Sequence, residues 1–407
     1  MKNVILITVS GVDKPGLSAS LLNILADHDA TVLDIGQAVI HSTLSLGILA
    51  KIPENQAWSE VARELLYCAH ELDLKIKFRE ITPDQYADWT AAQGKARHII
   101  TLLGAVLNAE HLAGLTAITR DQGLNIDVIT RLSGRIPLTG AEESSIACVE
   151  FSVRGTPRDA TAMRGQFLDL SHKLGIDIAF QVDDIYRRNR RLVVFDMDST
   201  LVQTEVIDEL GHAAGRGDEI AAVTAAAMSG ELDFKDSLRQ RLMEVKGLEE
   251  AALAEIAERI PLTEGAERLI HMLKHLGFRI AVISGGFTYF ARHLQEKLGI
   301  DYVYANELEI ADGKLTGALV GDIIDAEKKA EIVREIAEME NIRLEQVVAV
   351  GDGANDLPML AQAGLGIAFR AKPVVREAAR QALSTVGLDG ILYLVGVRDR
   401  ETLEQIR

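Results

Sequence analysis

Short continuous runs of hydrophobic residues recur in the carboxyl-terminal half of the chain, and each ends abruptly in polar or glycine residues. The runs are Leu192–Phe195, Ile280–Ile283 and Val347–Val350. Uninterrupted apolar runs of this length are typical of parallel strands covered on both faces. A helical pattern of apolar positions follows Lys328 and Lys329. The pattern predicts an α/β domain whose strands deliver polar side chains to the carboxyl edge of an open sheet, where such sheets place their ligands.

The amino-terminal half has a different pattern, in which short strands and helices follow a β-α-β-β-α-β order. The first strand is Val4–Val9, and Leu21, Leu22 and Leu25 mark the apolar face of the next helix. The remaining elements are strands at 32–35, 38–50 and 74–79 and a helix at 58–72. A similar order recurs from about residue 98 at a constant offset, which pairs Gly11, Leu22 and Asp34 with Gly104, Leu115 and Asp127. This half is therefore predicted to contain two copies of a small module.

The first apolar run of the carboxyl half leads directly into Asp196-Met197-Asp198-Ser199-Thr200. The two-residue period of an extended chain predicts that both carboxylates lie on one side and that Met197 points away. Two crowded carboxylates repel each other unless a cation lies between them or one is protonated. A divalent metal ion, bound together with a phosphorylated substrate, would satisfy both carboxylates. The alternative is an ordinary strand end with a solvated aspartate turn.

Three further segments carry residues suited to binding phosphate. Ser284-Gly285-Gly286 ends one strand with a hydroxyl and two glycines, and it can offer the serine and backbone N–H groups to phosphate oxygens. The third apolar run ends in Gly351-Asp352-Gly353-Ala354-Asn355-Asp356. A lysine at 328 or 329 would neutralise the charge on a bound phosphate and on an attacking carboxylate. We expect these segments to form the walls of one site.

These ordered motifs resemble those of the haloacid dehalogenase superfamily, and the resemblance extends from about Arg191 to the end of the chain. It implies a Rossmann-like parallel-sheet core with a helical cap. The two amino-terminal modules, which precede this core, are expected to be ferredoxin-like α+β domains on the separate resemblance given below. Of the two lysines, Lys329 matches the superfamily pattern better than Lys328, because Ala-Glu-Ile follows it. Within the superfamily the chain is most similar to the phosphoserine phosphatases, whose form of the last motif is Gly351–Met359.

The resemblance implies roles for individual residues. Asp196 would attack phosphorus to form an aspartyl-phosphate, and Asp198 would act as general acid and then as general base. The implied cofactor is Mg²⁺, held by the Asp196 carboxylate, the Asp198 main-chain carbonyl and Asp352, with Asp356 in support. The phosphate would be bound by Ser284, the Gly285 N–H, Lys329 and Asn355.

The segment from Val206 to about Thr263 is rich in alanine and poor in strand formers, so it predicts a helical cap that closes over the site. The resemblance places Glu205, Phe234 and Arg241 at the positions that bind the substrate. Arg241 would bind an α-carboxylate and Glu205 an α-ammonium group. The implied substrate is O-phosphoserine, and the reaction is the last step of serine biosynthesis. The alternative for both charges is a solvated helix surface.

The amino-terminal modules resemble the ACT domain, a ferredoxin-like module that often binds amino acids at interfaces. The turn Gly11-Val12-Asp13-Lys14-Pro15-Gly16-Leu17 carries the resemblance in the first copy, at about 1–82. The second copy, at about 97–183, has Val106-Leu107-Asn108-Ala109 in place of that turn. A regulatory site for serine or another amino acid is expected near Asp13, Pro15 and Gly16. The alternative is that both modules only pair sheets in a dimer.

Composition limits the remaining function classes. The chain has 407 residues, 48% of them hydrophobic, which predicts two or three domains. The resemblance implies that the phosphatase domain lies at 184–407. A net charge of -17 argues against nucleic acid or an anionic membrane as a partner. The one basic run, Arg187–Arg191, is interpreted as a solvated linker.

Cys68 and Cys148 are too few and too scattered for a disulfide framework, and no run of 18 apolar residues or signal-peptide pattern occurs. We therefore expect a cytoplasmic enzyme, with a homodimer as the default assembly. Two alternatives stay open. One is a phosphatase for another small phosphorylated amino acid or alcohol. The other is an amino-acid-sensing protein with a vestigial phosphatase half, against which the intact acidic residues argue.

Overall fold

The computed structural model describes residues 4–91, 94–135, 146–228 and 231–399. The predicted domains 1–82, 97–183 and 184–407 and the predicted cap therefore each include some residues outside the described ranges. The chain forms two compact units, Met1–Lys95 and Ala96–Arg407. Within the described residues, no helix is both long enough and apolar enough to cross a lipid bilayer.

The first unit has the predicted β-α-β-β-α-β order, followed by one more helix. Its antiparallel sheet has the strand order β2-β3-β1-β4. Ile5, Ile7 and Val9 alternate along β1 and pack with Leu21 and Leu25 of α1, as the two periodicities predict. The elements are β1 Val4–Val12, α1 Leu17–Asp27, β2 Thr31–Ile40, β3 Thr43–Lys51, α2 Trp58–Glu71, β4 Lys75–Ile81 and α3 Pro83–Ala91.

The second unit begins with the second copy of this module, whose sheet has the equivalent strand order β6-β7-β5-β8. The two copies begin their first helices differently. Gly16 precedes α1 in a left-handed conformation (φ 92°) without a side-chain cap, whereas Asn108 accepts a hydrogen bond from the His111 N–H at 3.0 Å. The elements are β5 Arg97–Gly104, α4 Ala109–Asp121, β6 Asn125–Arg131, β7 Ala147–Arg154, α5 Ala160–Leu174 and β8 Asp177–Val182.

The rest of the second unit is built on a sheet with the order β12-β11-β10-β9-β13-β14-β15, in which all pairs except β11–β12 are parallel. The three apolar runs form adjacent central strands, β10, β9 and β13. The strands are β9 Leu192–Phe195, β10 Arg279–Phe287, β11 Tyr302–Ala311, β12 Lys314–Val320, β13 Val347–Gly351, β14 Leu365–Phe369 and β15 Gln381–Leu383.

Helices cover both faces of this sheet, and a helical segment follows β9 as predicted. The predicted cap contains α6 Val206–Ala213, α7 Gly217–Met228, α8 Phe234–Glu244 and α9 Glu250–Arg259. Val193 and Phe195 pack on one face with α10 and α11, while Leu192 and Val194 pack on the other with α12 and α13. The remaining helices are α10 Ala266–His275, α11 Thr288–Leu298, α12 Ala326–Met339, α13 Leu357–Gln362, α14 Pro373–Ala378 and α15 Ile391–Leu394.

The prediction that Arg187–Arg191 is a solvated linker was wrong. Arg187 and Arg190 are only 7% and 6% exposed. Arg187 forms an ion pair with Glu150 of β7 at 2.5 Å, and Arg190 donates hydrogen bonds to the Glu345 and Val347 carbonyls. Burial lowers the pKa of Arg190 to about 10. The two arginines therefore join the second module to the parallel sheet. A run of basic residues in the sequence does not by itself show whether the side chains are buried in this way or exposed to solvent.

Candidate active site

The carboxyl ends of β9, β10 and β13 meet at one edge of the sheet and form the floor of a cleft of about 810 Å³. Asp196 follows β9, Ser284 lies near the end of β10, and Asp352 follows β13. The cleft brings together most of the residues that the sequence motifs indicated. It is lined by Asp196, Asp198, Glu205, Phe234, Arg241, Ser284, Gly285, Asp352 and Asn355, among others.

Asp196 lies at the centre of this floor and is only 6% exposed. Its Oδ1 accepts the Met197 N–H at 2.7 Å, and its Oδ2 lies 2.7 Å from Lys329 Nζ. Burial and the negative charge of Asp356 raise the pKa of Asp196 to about 8, although Lys329 opposes the shift. The carboxylate is thus held in one orientation by a backbone donor and a cation.

Lys329, rather than Lys328, reaches the floor of the cleft. Asp325 caps α12 by accepting the Lys328 N–H at 2.9 Å. Lys329 is the fourth residue of this helix, and its side chain points into the protein. The Lys329 side chain is fully buried, and its Nζ contacts Asp196 and Asp356 at 2.7 and 2.8 Å. Burial alone would lower the pKa of Lys329, but the two carboxylates raise it above its ordinary value. Lys328 is instead partly exposed and pairs with Glu331.

Asp196, Asp352 and Asp356 place oxygen atoms within 4.8 Å of one another. An all-carboxylate set of this kind fits a hard divalent cation such as Mg²⁺. Asp356 is fully buried, and its oxygens already accept from Lys329 Nζ and from the Gly353 N–H at 2.9 Å. Asp352 is more open, and burial followed by the charge of Asp356 raises its pKa to about 7. Asp352 and Asp196 are therefore the better direct ligands, with Asp356 behind them.

The carboxylate of Asp198 does not belong to this acidic cluster. As predicted, it faces the cleft together with Asp196, while Met197 is buried in the core. Ser199 adopts a left-handed conformation (φ 55°), which turns the chain sharply after Asp198. One Asp198 oxygen accepts the Val206 N–H at 3.3 Å. Burial, with the charges of Glu205 and Asp196, raises the pKa of Asp198 well above its ordinary value, so its environment favours a protonated carboxyl.

The end of β10 forms a compact loop on the opposite wall. Ser284 is fully buried, and its Oγ accepts the Gly286 N–H at 2.9 Å. A Cβ on Gly286 would lie 2.5 Å from Asp198 Oδ2, so a larger residue there would displace the Asp198 carboxylate. At Gly285 a Cβ would lie 3.0 Å from Phe234 Cζ of α8. The cap helix therefore packs directly on the loop that carries Ser284.

The three predicted substrate residues lie on the cap side of the same cleft. Glu205 is exposed to the cleft and accepts a hydrogen bond from Ser199 Oγ at 3.0 Å. Arg241 is half-buried, and the one hydrogen bond that it forms with the described residues is a long one of 3.4 Å, from its Nε to the Ser237 carbonyl of its own helix. Burial lowers the pKa of Arg241, opposed by the charges of Glu205, Asp208 and Asp198. The cap thus presents a negative and a positive group with spare hydrogen-bonding capacity.

The three predicted regulatory residues lie in the first unit, in the exposed turn between β1 and α1. Asp13, Pro15 and Gly16 are all exposed, and the Asp13 N–H donates to the Ser42 carbonyl at 2.8 Å. No described contact there identifies a ligand.

Three protein-family models match the chain. The model for the haloacid dehalogenase-like hydrolases matches residues 193–361, and two ACT domain models match residues 3–79 and 96–181. A phosphoserine phosphatase of Streptomyces coelicolor is 41% identical over 98% of this chain and 93% of its own length. The phosphoserine phosphatase SerB2 of Mycobacterium tuberculosis is 39% identical over 97% and 93%, respectively.

The chain belongs to the phosphoserine phosphatase family. It is a phosphoric monoester hydrolase with a haloacid dehalogenase-type catalytic region and two ACT domains. The fold agrees with a solved structure of a probable phosphoserine phosphatase from Vibrio cholerae. That structure has a TM-score of 0.58 and 33% identity, and the match covers 76% of this chain and 88% of the other.

The structure also places in this phosphatase site two residues that sequence reasoning missed. Thr200 Oγ1 donates to Asp352 Oδ1 at 2.9 Å and so orients that carboxylate. Asn306 of β11 donates to the Gly285 carbonyl at 2.7 Å and accepts the Ile324 N–H at 2.8 Å, which ties the Ser284 loop to the segment before α12. Thr200 lies in the first motif, so its position in the sequence could have identified it as a site residue. Asn306 is one of several polar residues in β11, and nothing in the local sequence distinguished it.

Proposed function

We propose that the enzyme hydrolyses O-phospho-L-serine to L-serine and phosphate through an aspartyl-phosphate on Asp196, with Mg²⁺ as cofactor. The observation that carries the proposal is the position of Asp196, which lies between Lys329 at 2.7 Å and the acidic cluster with Asp352 and Asp356. A carboxylate held in this way presents its oxygen to the cleft without repelling a phosphate dianion, because positive charge lies on both sides of it once the metal is bound.

The first displacement joins an Asp196 oxygen to phosphorus and breaks the bond between phosphorus and the serine oxygen. Asp198 donates its proton to the departing serine oxygen, and its raised pKa keeps that proton available. Ser284, the Gly285 N–H and Lys329 bind the phosphate oxygens, with Asn355 at the rim of the cleft. Positioning and charge stabilisation of this kind supply most of the catalysis in phosphoryl transfer.

The second displacement hydrolyses the aspartyl-phosphate. Asp198, now ionised, accepts a proton from the attacking water, and Asp196 is released in its original form. Asp196, the Asp198 main-chain carbonyl and Asp352 would hold Mg²⁺, and Asp356 would support them. When bound, the ion acts as a Lewis acid and neutralises charge on the transferred phosphate. Lys329 and Asp356 keep Asp196 in the same orientation through both steps.

The cap determines which ester is accepted. Arg241 has a planar fork that suits a carboxylate, Glu205 carries the charge that suits an ammonium group, and Phe234 closes the cleft above Gly285. A phosphate ester that also bears these two groups is a phosphorylated amino acid. The relatives named above support serine as that amino acid. The reaction would then complete serine biosynthesis.

The test is phosphate release from O-phosphoserine, O-phosphothreonine and O-phosphoethanolamine, each with and without Mg²⁺. We expect Mg²⁺-dependent release with the highest kcat/KM for phosphoserine and the lowest for phosphoethanolamine, which lacks the carboxylate. Equal rates on all three esters would contradict the proposed clamp. A higher rate on phosphothreonine would favour the alternative of another phosphorylated amino acid.

We also propose that the two ACT domains span 1–82 and 97–183 and that the phosphatase domain spans 184–407, with its cap at about 206–263. The two units and the family matches support these divisions. Two free cysteines fit a reducing cytoplasm. We also propose a homodimer, whose test is the mass in solution.

The first ACT domain is proposed to bind serine or another amino acid near Asp13, Pro15 and Gly16. The open helix start at Gly16 supports this, because no side chain there satisfies the first N–H groups of α1. Asp13→Ala should weaken amino-acid binding to the full chain without changing phosphoserine turnover in the absence of effector. An unchanged affinity would contradict the site.

A further inference from the structure

A second cavity, distinct from the catalytic cleft, lies inside the second unit, where the second ACT domain meets the catalytic region. It has a volume of about 220 Å³. One wall is formed by α5 and β8 of the ACT domain, and the other by residues 376–385 at the end of α14 and in β15. Ligand sites are common at such domain junctions. This volume is below the roughly 300–1,000 Å³ of drug-sized pockets, which points to a small metabolite.

The two walls are fixed to each other, so the cavity has a defined shape. Asp177 of β8 accepts hydrogen bonds from the N–H groups of Ser384 and Thr385 at 2.8 and 2.9 Å. The Gln381 side chain accepts the Phe180 N–H at 2.8 Å and donates to the carbonyl of the same residue. These bonds connect the edge strand of one sheet to the edge strand of the other. The cavity is therefore pre-formed, which lowers the entropic cost of binding a ligand there.

The rim of the cavity carries an excess of positive charge. Arg164 on α5 and Arg380 beside β15 face it, and neither has a hydrogen bond or an ion pair with any residue in the described part of the chain. A third arginine, Arg376, has its Nη2 3.0 Å from His172 Nε2. In a chain with a net charge of -17, two unpaired arginines facing one small cavity form a local anion site.

The inner wall is apolar, and it lacks a free acid. Met163, Phe167 and Ile178 are buried there. Among the described lining residues Asp177 is the sole acid, and its oxygens already accept hydrogen bonds from Ser384 and Thr385. A ligand with an ammonium group would therefore find no carboxylate partner, and burying an unpaired charge is unfavourable. An apolar chain with a carboxylate at one end matches both walls.

We propose that this cavity binds a small aliphatic carboxylic acid without an ammonium group, such as a 2-oxo acid, and that its occupancy changes the affinity of the catalytic cleft for phosphate. Arg164 and Arg380 bind the carboxylate, and the alkyl chain packs against Met163 and Phe167. The site differs in position and in ligand class from the amino-acid site proposed in the first ACT domain.

The coupling follows from α14, which separates the two cavities. Lys372 and Val375 line the catalytic cleft, whereas Arg376 and Ala379, one turn further along, line the junction cavity. The helix has only six residues, Pro373–Ala378, so its two ends lie close to both cavities. A carboxylate bound by Arg380, two residues after the end of α14, would also shift the residues of α14 that face the catalytic cleft. Because coupling between sites is reciprocal, phosphate in the cleft must change the affinity for the acid by the same factor.

The experiment is calorimetric titration of the full chain with three probes that share one carbon skeleton. They are 4-methyl-2-oxopentanoate, L-leucine, which has an ammonium group in place of the 2-oxo group, and 4-methyl-2-pentanone, which has a methyl group in place of the carboxylate. We expect saturable binding of the oxo acid with one site per chain, and binding of the other two at least about tenfold weaker. Absence of oxo-acid binding overturns the proposal, and equal binding of leucine overturns the assigned ligand class.

Variants locate the binding. Arg164→Gln combined with Arg380→Gln should weaken oxo-acid binding about tenfold or more. Both residues are exposed, so the double variant should keep its Tm. Arg292→Gln is the matched control, since Arg292 is an exposed arginine on α11 that lines neither cavity. Arg241→Ala should retain oxo-acid binding. Binding that survives the double variant or disappears with Arg241→Ala contradicts the location, because it places the probe in the catalytic cleft.

The coupling has its own readout. The Kd of inorganic phosphate for the full chain with Mg²⁺ should change at least about fivefold at saturating oxo acid, the lower range of known coupling. The double variant should lose this change while keeping its phosphate affinity in the absence of acid. An unchanged Kd overturns the coupling. None of these measurements requires turnover of phosphoserine, so they can fail while the proposed function holds, and the reverse is equally true.

Discussion

The two sides of the catalytic cleft are held in very different ways. On the core side, Asp196, Lys329 and Asp356 are buried and joined by hydrogen bonds and ion pairs of 2.7 to 2.8 Å. On the cap side, Glu205 and Arg241 are more exposed. Within the described part of the chain their side chains form only the hydrogen bonds with Ser199 Oγ and, at 3.4 Å, with the Ser237 carbonyl. The core side therefore has its geometry fixed before substrate arrives, as chemistry at phosphorus requires. The cap side keeps hydrogen-bond donors and acceptors free, and the substrate must provide their partners.

Substitutions on the core side should remove activity toward every phosphate ester and often change stability. Substitutions on the cap side should change which ester is preferred and leave stability nearly unchanged.

Asp196→Asn should give the largest effect. It removes the attacking carboxylate, so kcat should fall roughly 10⁴-fold or more for phosphoserine and phosphoethanolamine alike. Steady-state phosphate release measures this. A loss confined to phosphoserine would place Asp196 in recognition rather than in chemistry and would contradict the division between the two sides.

Lys329→Met should destabilise the fold as well as abolish activity. The variant leaves Asp196 and Asp356 buried without their cation, which costs about 3–5 kcal/mol of unfolding free energy. Urea unfolding without Mg²⁺ measures it. Lys328→Met is the matched control, because the neighbouring lysine is partly exposed and should change neither stability nor kcat. Similar behaviour of the two variants would show that burial of Lys329 does not matter.

Arg241→Ala should lower kcat/KM for phosphoserine about 10- to 100-fold, since a charge-assisted hydrogen bond to the carboxylate is lost. Activity toward phosphoethanolamine, which lacks that group, should change little. Arg239→Ala on the same helix is the control, because Arg239 is exposed and pairs with Asp236. If Arg241→Ala lost activity equally toward both esters, the result would indicate a general structural role for Arg241.

Thr200→Val should weaken Mg²⁺ binding about tenfold, because Asp352 loses the donor that orients it. The Mg²⁺ dependence of kcat measures this change, and Thr200→Ser should restore the original dependence. Failure of the serine variant to restore it would mean that the threonine methyl, and not the hydroxyl, is what the site needs.

The smallest expected effect is on the pH dependence of stability. Without metal, Asp352 and Asp196 have pKa values of about 7 and about 8, above the value of about 3.9 for an unfolded aspartate. The folded state therefore binds more protons between about pH 4 and 8, and the contribution of these groups to stability falls as the pH rises through that range.

A bound divalent cation replaces those protons. The increase in Tm on adding Mg²⁺ should thus grow by about 2–4 °C between pH 5.5 and 8, and Asp352→Asn should remove most of that growth. Thermal unfolding at both pH values measures it. An increase in Tm that is independent of pH would contradict the raised pKa values.

The motifs allowed the core side to be predicted almost residue by residue, because strand ends that meet at one sheet edge must bring their side chains together. The cap side was accessible only through resemblance, since an isolated Arg241 or Glu205 is indistinguishable from any solvated charge. Asn306 and the buried Arg187 and Arg190 were beyond prediction or predicted wrongly. Their partners lie 18 to 157 positions away in the chain, and no local pattern records them.

The sequence by itself determined the α/β class, the repeated module, the order of the motifs and the choice of Asp196, Ser284 and Asp352 as strand-end residues. These follow from local periodicity and from residue chemistry. Only the tertiary structure decided that Lys329 lies between two carboxylates and that Thr200 orients Asp352. It alone revealed the arginine-lined cavity between the second ACT domain and α14. Such features depend on distances between residues far apart in sequence, which are fixed by packing and not by pattern.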